Sequence, residues 1–410
     1  MDFPFLYINL DGFAGYYFDL IQERQRVLPA LSFLIQEGTY FENIHTGIPS
    51  ITFPMQSAIV SGAYSGKTGN CYQYLNRENN TVILCKRLNR AQTVAQVLKE
   101  QQIPCLSIQQ FALEGKGCSL DDPQYLYVQP GGDYAVRFDL LDRLIEENRI
   151  TCNGSCYRFD MLPGALFLYL DDLDTIGHNP APYRAGTESG RVQNVIDRLK
   201  KIDTRLFHTL SLLKQKGLYD RMTILLTTDH GMIPFTGESR IDDLIRELHL
   251  LGFARVSVCS AGEQVSEDWD VLLTSHGIQC QLYVKDGRTD LNMLKRQLEP
   301  LYFADQVLTK QELMERGGTP LYADLLISPP EGMHFNIEHR DIPVLAASHD
   351  SLHPKCSRVF AVMKGPRIKK NYTMRGEAQV IDLMPTLCKA TGIPVMKEAT
   401  GRILNEILIG

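Results

Sequence analysis

Short apolar segments, each soon followed by an acidic residue, a glycine or a proline, most constrain how this chain can fold. They are rich in branched and aromatic residues and are separated by longer stretches of helical character. Runs of this length and composition are typical of strands buried on both faces of a parallel sheet. The segments are FLYINL (5–10), ALFLYL (165–170), MTILLTT (222–228) and VFAVM (359–363).

The stretches between these strands have the apolar spacing of helices. The predicted helices cover residues 24–38, 91–102, 188–217 and 378–392. We expect the first of them to end at Gly38, because glycine is a natural helix C-cap. Strands that alternate with helices predict an α/β fold with a doubly wound, mostly parallel sheet and helices on both faces. Such sheets bind ligands beyond the carboxyl ends of their strands.

One region departs from this pattern and is predicted to be a smaller α+β insert. It contains Trp269, the only tryptophan of the chain. Its predicted elements are a strand at 279–284, a helix at 290–301 and a strand at 323–328. The predicted division is an α/β core of residues 1–236 and 345–410 and an insert of residues 237–344.

Composition narrows the class of protein. The chain has 410 residues, of which 44% are hydrophobic and 22% charged, so it is neither disordered nor fibrous. Its net charge of −6 does not suit a general nucleic-acid binder. No apolar run approaches the ~18 residues of a membrane span, and the first residues lack an export signal. We therefore predict a cytoplasmic protein whose ten cysteines are reduced and mostly buried.

Acidic residues and histidines follow three of the predicted strands. Asp11 ends the first, Asp174 and His178 follow the second, and Asp229 and His230 follow the third. One acid after a strand is usually a cap or a turn former, but three strand ends of a parallel sheet meet at one edge. Clustered carboxylates repel one another unless a cation lies between them. This pattern therefore predicts a site for divalent metal ions.

Two further segments carry candidate site residues. His349 and His353 lie in AASHDSLHP, just before the last predicted strand. Thr52 lies at or near the start of a helix predicted from GIPSITFPMQSAIVSG, where backbone N–H groups favour an anion. A hydroxyl there, beside a metal ion, can attack phosphorus, although Thr52 could also simply cap the helix.

These segments together resemble the alkaline phosphatase superfamily, and more narrowly its type I phosphodiesterase/nucleotide pyrophosphatase group. The resemblance covers the core from residue 5 to about residue 400, in the order of the family. The matching segments are INLDGF, PSITFPMQSAIVSG, YLDDLDTIGH, TTDHGM, SHDSLHP and IDLMPTLCKATGIP.

The resemblance implies an alkaline-phosphatase-like core with two bound divalent metal ions. Zinc suits the mixed carboxylate and imidazole ligands, and manganese or iron is less favoured. Thr52 matches the nucleophile of the family, and His353 is expected to support a ligand rather than to bind metal. The implied ligands are Asp11, Asp229 and His230 for one ion and Asp174, His178 and His349 for the other.

The chain departs from the family pattern at several positions. Met55 stands where the family commonly has asparagine, so Gln56 is expected to supply an amide to a phosphate oxygen. Asp350 stands in place of a glycine and could contact a cationic group of the substrate. Thr68 and Gly69 replace the usual His-Gly pair. These departures leave the metal site credible and put nucleotide specificity in doubt.

The sequence thus predicts a hydrolase that cleaves phosphodiester or pyrophosphate bonds of a small substrate through a phosphothreonine. Phe53, Tyr16, Tyr17 and Asp350 are candidates for substrate contact, although the two tyrosines could instead pack the first helix. Two alternatives remain open. One is hydrolysis of monoesters, sulfates or phosphonates, or phosphoryl transfer, at the same site. The other is an inactive binding or scaffold protein. The oligomeric state is not predicted.

Overall fold

The structure is a computed structural model and describes residues 3–409. We number its strands and helices in chain order. The strands are β1 (Phe5–Leu10), β2 (Gly38–Phe41), β3 (Ile44–His45), β4 (Gln73–Asn76), β5 (Thr81–Leu84), β6 (Cys105–Ile108), β7 (Tyr125–Val128), β8 (Arg149–Cys152), β9 (Ser155–Arg158), β10 (Ala165–Leu170), β11 (Thr223–Thr227), β12 (Ile233–Glu238), β13 (Val256–Val258), β14 (Val271–Ser275), β15 (Cys280–Val284), β16 (Gln306–Thr309), β17 (Leu325–Ser328), β18 (Asp341–Ser348), β19 (Ala361–Lys364), β20 (Tyr372–Met374) and β21 (Ala378–Gln379).

Helices connect these strands on both sides of the main sheet. They are α1 (Gly15–Asp19), α2 (Arg24–Val27), α3 (Pro29–Gln36), α4 (Thr52–Ser61), α5 (Ser65–Thr68), α6 (Val94–Glu100), α7 (Tyr134–Glu147), α8 (Asp172–Gly177), α9 (Glu188–Gln215), α10 (Ile241–Leu250), α11 (Leu291–Leu298), α12 (Lys310–Glu315), α13 (Pro354–Ser357) and α14 (Val380–Thr391). Short 3-10 turns lie at Phe111–Leu113, Tyr219–Arg221 and Asn405–Ile407.

The main sheet has eight strands in the order β20-β2-β19-β11-β1-β10-β6-β7. Strands β11, β1, β10, β6 and β7 are parallel neighbours, so their carboxyl ends lie along one edge. Strand β19 is antiparallel to both of its neighbours, β11 and β2. The predicted mostly parallel α/β sheet is confirmed, while the expectation that the VFAVM segment is itself a parallel strand is wrong.

Alternate residues of the central strand enter two different cores. Leu6 and Ile8 of β1 pack into a cluster that includes α3, α7 and α9. Phe5 and Tyr7 pack into a second cluster, on the other face, that includes α4, α6 and α14. Because successive side chains of a strand point to opposite faces, this partition shows that the sheet is buried on both sides, as its apolar sequence predicts.

A second sheet lies within the region predicted to be an insert. Its order is β13-β14-β15-β17-β16, and α10 and α11 pack on it around a separate apolar cluster. Strands β12 and β18 pair antiparallel, so the chain enters and leaves this region along a two-stranded ribbon. The predicted limits at 237 and 344 fall inside the two strands of the ribbon. We keep the division into core and insert as a prediction.

Most predicted helices are present within a few residues, and the largest difference concerns the first. Residues 24–38 form the short α2 and then α3, with Pro29 as the first residue of α3. Gly38 is not a left-handed C-cap, because it begins β2. A Cβ at Gly38 would lie 2.4 Å from the carbonyl oxygen of Met363 on β19. Glycine is therefore needed there for close strand packing.

The described residues also bear on the predictions from composition. Across positions 3–409, no helix combines the length and apolar character needed to cross a bilayer. All ten cysteines are free thiols, and nine of them are buried. Cys156, on the β8–β9 hairpin, is exposed.

Candidate active site

The carboxyl ends of three adjacent strands bring the predicted acids together. Asp11 directly follows the central β1, and Asp229 and His230 follow β11 on one side of it. On the other side β10 leads into α8, whose third residue is Asp174. This edge is where parallel sheets place ligands, because the loops there can converge without interrupting the strands.

Gly12 allows two of these segments to approach each other. Its φ is +74°, a left-handed conformation that favours glycine. A Cβ at this position would lie 2.8 Å from the Cα of Asp174. The loop after β1 therefore packs directly against the start of α8, and Asp11 and Asp174 share one site.

The first group of candidate ligands is deeply buried. The Nε2 of His230 lies 3.2 Å from Oδ1 of Asp11 and 3.6 Å from Oδ2 of Asp229. One ligand atom from each of the three residues lies within 4.8 Å of the others. This spacing is small enough for the three side chains to hold one ion between them.

The second group lies beside the first. The Oδ1 of Asp174 lies 3.3 Å from Nε2 of His178, one helical turn later, and 3.7 Å from Nε2 of His349. The ring of His349 stacks on that of His230 with 3.8 Å between centroids. Ligand atoms of His230, Asp174 and His349 also lie within 4.8 Å of one another, so the two groups are contiguous.

Each of the three imidazoles has its Nδ1 against a backbone carbonyl. The distances are 3.0 Å from His230 to Gly231, 2.7 Å from His178 to Ala347 and 3.0 Å from His349 to Ser50. In each case a carbonyl can only accept, so the neutral ring carries its proton on Nδ1. The Nε2 lone pair then faces the carboxylates, which is the arrangement of imidazoles that bind metal ions.

The carboxylates supply a second, independent sign of a cation site. The Oδ1 of Asp11, the Oδ2 of Asp229 and the Oδ1 of Asp174 are buried and have no hydrogen-bond partner. The other oxygens of the first two are bonded, to the hydroxyl of Tyr169 and to that of Thr228. Unpaired buried oxygens are costly unless an ion compensates them, so the residues present fit a pair of divalent metal ions.

The close packing of these buried charged groups shifts the pKa values of Asp11 and Asp174. Burial, and then the negative charges of Asp229 and Asp174, raise the pKa of Asp11 well above its ordinary value. For Asp174 burial again opposes the charge, but His178 and then His349 hold its pKa below the ordinary value. A cation beside Asp11 would remove the repulsion that raises its pKa.

Thr52 is the first residue of α4 and faces the first group. Its Oγ1 lies 3.0 Å from Nε2 of His230. Thr52 makes no side-chain cap for the helix, whose N-cap residue is Ile51. The N–H groups of Thr52 and Phe53 belong to the first turn, where no intrahelical acceptor exists. The hydroxyl thus lies beside the candidate ligands and at the positive end of a helix dipole.

Gln56 occupies a different place from the one expected. It is fully buried, and its amide donates to Oδ1 of Asn9 at 2.8 Å while its carbonyl accepts from Gln110 at 2.8 Å. Asn9 in turn donates to the hydroxyl of Tyr7. These contacts tie α4 to β1, and Gln56 is therefore not among the proposed substrate contacts. The neighbouring Met55 is buried in the core.

The two candidate tyrosines of α1 are held by an arginine. The guanidinium of Arg191 donates to the hydroxyls of Tyr16 and Tyr17 at 2.8 and 2.9 Å and forms an ion pair with Glu188. Tyr17 is fully buried. This network joins α1 to α9, so the packing alternative considered for these tyrosines describes their contacts better than substrate binding does.

Asp350 is also directed into the protein. It is 3% exposed and accepts a 2.6 Å hydrogen bond from the side-chain amide of Gln279, just before β15. Burial raises the pKa of Asp350 to about 7, although the bond from Gln279 lowers it. Its carboxylate links Gln279 to the segment that carries His349. Because this bond engages the carboxylate inside the protein, we do not propose Asp350 as a contact for a cationic group of the substrate.

The other polar and aromatic residues near these segments lie outside the two groups. Asp171 pairs with Arg137, and Asp172 pairs with Arg198, which anchors the loop after β10. The side chain of His353 accepts from the backbone N–H of Lys355 and caps α13. Phe53 is half-buried beside Thr52, with its ring 5.0 Å from that of Phe111.

Sequence reasoning missed one contact of the first group. The pattern of the ALFLYL strand predicts Tyr169 only as a core residue, yet its hydroxyl bonds to Asp11. It is a polar-tipped residue one position before the strand end, and it is aligned with Asn9 of β1. A tyrosine hydroxyl this close to the carboxyl end of a predicted strand is the sequence feature that could have indicated the role of Tyr169.

Comparison with known proteins shows the family to which this chain belongs. A sequence model described as type I phosphodiesterase / nucleotide pyrophosphatase matches residues 5–351. The chain belongs to this family. The match spans β1 through the segment of His349, so all of the candidate ligands and Thr52 lie inside it.

Several curated proteins of the phosphodiesterase/nucleotide pyrophosphatase family are similar to this chain. The ectonucleotide pyrophosphatase/phosphodiesterase C27A7.1 of Caenorhabditis elegans is 21% identical over 98% of this chain and 44% of its own length. The mouse ectonucleotide pyrophosphatase/phosphodiesterase family member 3 is 26% identical over 56% of this chain and 25% of its own length. The Xenopus laevis bis(5'-adenosyl)-triphosphatase enpp4 is 21% identical over 94% of this chain and 77% of its own length. The chain thus spans less than half of the first two relatives.

Solved structures of family members share the fold. Murine ectonucleotide pyrophosphatase/phosphodiesterase 5 matches with a TM-score of 0.67 at 16% identity, over 99% of this chain and 100% of the other. An inactive form of that enzyme, in which alanine replaces one threonine, matches equally well in its complex with AMP. The human counterpart has a TM-score of 0.68. At this identity the likeness concerns the fold, and it confirms the predicted alkaline-phosphatase-like architecture.

Proposed function

We propose that this protein is a metal-dependent hydrolase of phosphodiester or pyrophosphate bonds, with Thr52 as its nucleophile. The observation that carries the proposal is that three unpartnered carboxylate oxygens and three imidazoles, with their Nε2 atoms turned toward the carboxylates, lie together next to the hydroxyl of Thr52. The substrate is a small phosphoester, and the AMP bound to the murine family member is an example of the ligand chemistry.

The ligand assignment divides the six side chains into two sets. We assign Asp11, Asp229 and His230 to one divalent ion and Asp174, His178 and His349 to the other. The mixture of carboxylate oxygens and imidazole nitrogens favours zinc, with manganese or iron as alternatives. When bound, such ions stabilise negative charge on phosphate oxygens and lower the pKa of a hydroxyl or water that they contact.

Thr52 attacks phosphorus with its Oγ1. The bond to the leaving oxygen breaks as the threonine ester forms, and water then attacks the ester and restores the hydroxyl. Two successive in-line displacements each invert the phosphorus, so the net outcome is retention of configuration. The Oγ1 of Thr52 lies 3.0 Å from Nε2 of His230, so an ion held by the first ligand group would lie beside the hydroxyl and would favour loss of its proton to solvent.

The first turn of α4 supplies the contact for a non-bridging oxygen. The N–H of Phe53 has no intrahelical acceptor and lies next to the nucleophile. A backbone donor there and the helix dipole favour the charge that develops on phosphate oxygens. The half-buried Phe53 ring, which contacts Phe111, offers an apolar surface to the organic part of the substrate.

The test is hydrolysis of bis-p-nitrophenyl phosphate by the zinc-loaded protein, compared with p-nitrophenyl phosphate. We expect the diester to be preferred. Thr52→Ala should retain the fold and bound metal and should lose at least about a thousandfold in kcat, because no other hydroxyl replaces the nucleophile. Thr68→Ala is the matched control, since its hydroxyl accepts from the backbone N–H of Asn70 and lies outside both ligand groups.

Two results would contradict the proposal. Wild-type turnover by Thr52→Ala would show that the nucleophile is another group. A preference for the monoester would favour the alternative chemistry considered from the sequence. Mass spectrometry of the protein quenched during turnover of the diester should find a transient p-nitrophenyl phosphoryl group on the peptide that contains Thr52. The cytoplasmic location stays a prediction that these assays do not address.

A further inference from the structure

Two buried thiols outside the candidate metal site lie in contact with each other. The Sγ atoms of Cys105 and Cys118 are 3.5 Å apart, and both residues are buried. Cys105 is the first residue of β6, and Cys118 lies in the loop that follows the 3-10 turn at Phe111–Leu113. A disulfide bond needs about 2.05 Å between its sulfurs, so closing this pair requires a movement of only about 1.5 Å.

The backbone of a single strand anchors both cysteines. Cys105 is aligned with Tyr125 of β7, and the N–H of Ser119, next to Cys118, donates to the carbonyl of Tyr125 at 2.9 Å. The N–H of Cys118 itself donates to the carbonyl of Leu113 at 3.1 Å. The contact between the two sulfurs therefore follows from the backbone arrangement, and small shifts of the two side chains and of the loop are enough to close it.

A pocket at the surface gives a small reagent a path to one of the sulfurs. Cys118 lines a pocket with a volume of about 350 Å³, whose other walls include Gly115, Gly117 and Lys99. The two glycines present no side chain that could cover Cys118. Because Cys118 is only 1% exposed, this path suits a reagent close to the size of water.

The two thiols differ in how readily they ionise. The hydrogen bond with Cys118, and then burial, raise the pKa of Cys105 well above its usual value. Cys105 therefore keeps its proton as the hydrogen-bond donor, and Cys118 is the sulfur that becomes the thiolate. Lys99, which forms a 2.9 Å ion pair with Asp122, adds a positive charge to the wall of the same pocket. The thiolate is the form that reacts with oxidants.

We propose that Cys105 and Cys118 are a reversible redox pair that hydrogen peroxide closes to a disulfide bond. The Cys118 thiolate attacks one peroxide oxygen, the O–O bond breaks, and a sulfenic acid and a first water form. The sulfur of Cys105 then attacks that of Cys118, the S–O bond breaks, and a second water leaves. Two thiols and one peroxide thus give one disulfide and two waters, each of which carries one thiol proton. A small dithiol reverses the change by exchange.

The segment between the two cysteines contacts the helix that carries Thr52. The amide of Gln110 donates to the side chain of Gln56 on α4 at 2.8 Å, and the ring of Phe111 lies 5.0 Å from that of Phe53. A disulfide would tie the two ends of this segment together and restrict its open conformations. Oxidation therefore stiffens the part of the chain that packs beside α4.

The experiment is a peroxide titration of the full chain carrying Cys156→Ser, which removes the exposed thiol. Peptide mass spectrometry without reduction should find Cys105 joined to Cys118, and dithiothreitol should restore both thiols. Amide hydrogen exchange in the segment 109–117 should slow at least about threefold on oxidation. Adding Cys105→Ser should abolish the crosslink and leave Cys118 one oxygen atom heavier. Cys388→Ser, whose sulfur contacts Met396, is the matched control and should retain the crosslink and the slower exchange.

Two results would overturn the proposal. One is a peroxide dose that fully oxidises Cys156 in wild type and leaves Cys105 and Cys118 unlinked. The other is a crosslink between Cys105 and Cys118 with unchanged hydrogen exchange in the segment between them. The outcome is independent of the proposed hydrolysis, because neither measurement depends on bound metal or on turnover.

Discussion

At the scale of single residues, the site depends on backbone conformation as much as on its ligands. Gly12 follows Asp11 in a left-handed conformation, and its α-carbon faces the backbone of Asp174. No side chain fits between them, so these two carboxylates can approach only across a glycine. The same residue thus determines the distance between the two ligand groups.

Gly12→Ala should therefore damage both stability and metal binding. We expect a loss of at least about 1–3 kcal/mol in the free energy of unfolding, from the positive φ and from the 2.8 Å approach to Asp174. Urea denaturation and zinc analysis measure the two effects. Gly154→Ala, at a positive φ in open space, is the matched control for strain alone and should retain zinc. Equal behaviour of the two variants would contradict the role of close approach.

The sequence was informative for residues whose position follows from a strand end. Asp11, Asp229 and His230 could be placed together because parallel strands end at one edge. It was uninformative where a neighbour distant in the chain decides the environment. Gln56 is turned inward by Asn9 and Gln110, and no local pattern indicates that partnership.

At the scale of elements, α3 begins with a cap from another helix. Its N-cap residue, Leu28, has no side-chain acceptor. The carboxylate of Asp203 on α9 instead accepts from the backbone N–H groups of Ala30 and Leu31 at 3.0 and 2.8 Å. Asp203 is 1% exposed, so one buried acid satisfies the first turn of α3 and fixes it against α9.

Asp203 should also make stability depend on pH. Burial raises its pKa from 3.8 to about 6, although the two backbone bonds lower it. The native state then binds this proton more tightly than the unfolded chain. Its contribution is complete below about pH 3.8 and is lost as the pH rises through about 6.

The measurement is urea denaturation of wild type and Asp203→Asn at several pH values. Relative to Asp203→Asn, which does not titrate, wild type should lose up to about 3 kcal/mol between pH 4 and pH 7. A difference between the two proteins that stays constant over this range, or grows in favour of wild type, would show that the acid is ionised throughout.

Elements were predictable where local composition dominates. The strands of the sheet centre and the long α9 follow directly from their apolar patterns, and Thr187 caps α9 as its residue type suggests. Strand direction was not predictable, because β19 is antiparallel to its neighbours but has the same apolar character as the parallel strands of the sheet. The role of Gly38 also depends on β19, because a Cβ at position 38 would clash with the carbonyl oxygen of Met363 on that strand.

At the scale of the whole molecule, the candidate metal site brings distant parts of the chain together. Its ligands come from the ends of β1, β11 and β18 and from α8, which are far apart in the chain. Without cations, the clustered carboxylates repel one another and keep unpaired buried oxygens. Metal binding should therefore stabilise the native fold in addition to permitting chemistry.

Removal of metal should lower the thermal stability. We expect zinc at a hundredfold excess over its Kd to raise the free energy of unfolding by about 3 kcal/mol for each site, and chelation to reverse it. Differential scanning calorimetry with and without zinc measures the change in Tm. Asp229→Asn should show a smaller shift than wild type, and an identical shift would place the ions elsewhere.

The most direct test of the two-ion centre is the zinc content of the reconstituted protein, measured by inductively coupled plasma mass spectrometry. The account predicts about two ions per chain in wild type and about one in either Asp229→Asn or Asp174→Asn. Asp171→Asn, whose carboxylate pairs with Arg137 outside both groups, should keep about two. Wild-type protein without bound zinc, or zinc content unaffected by both ligand variants, would contradict the account.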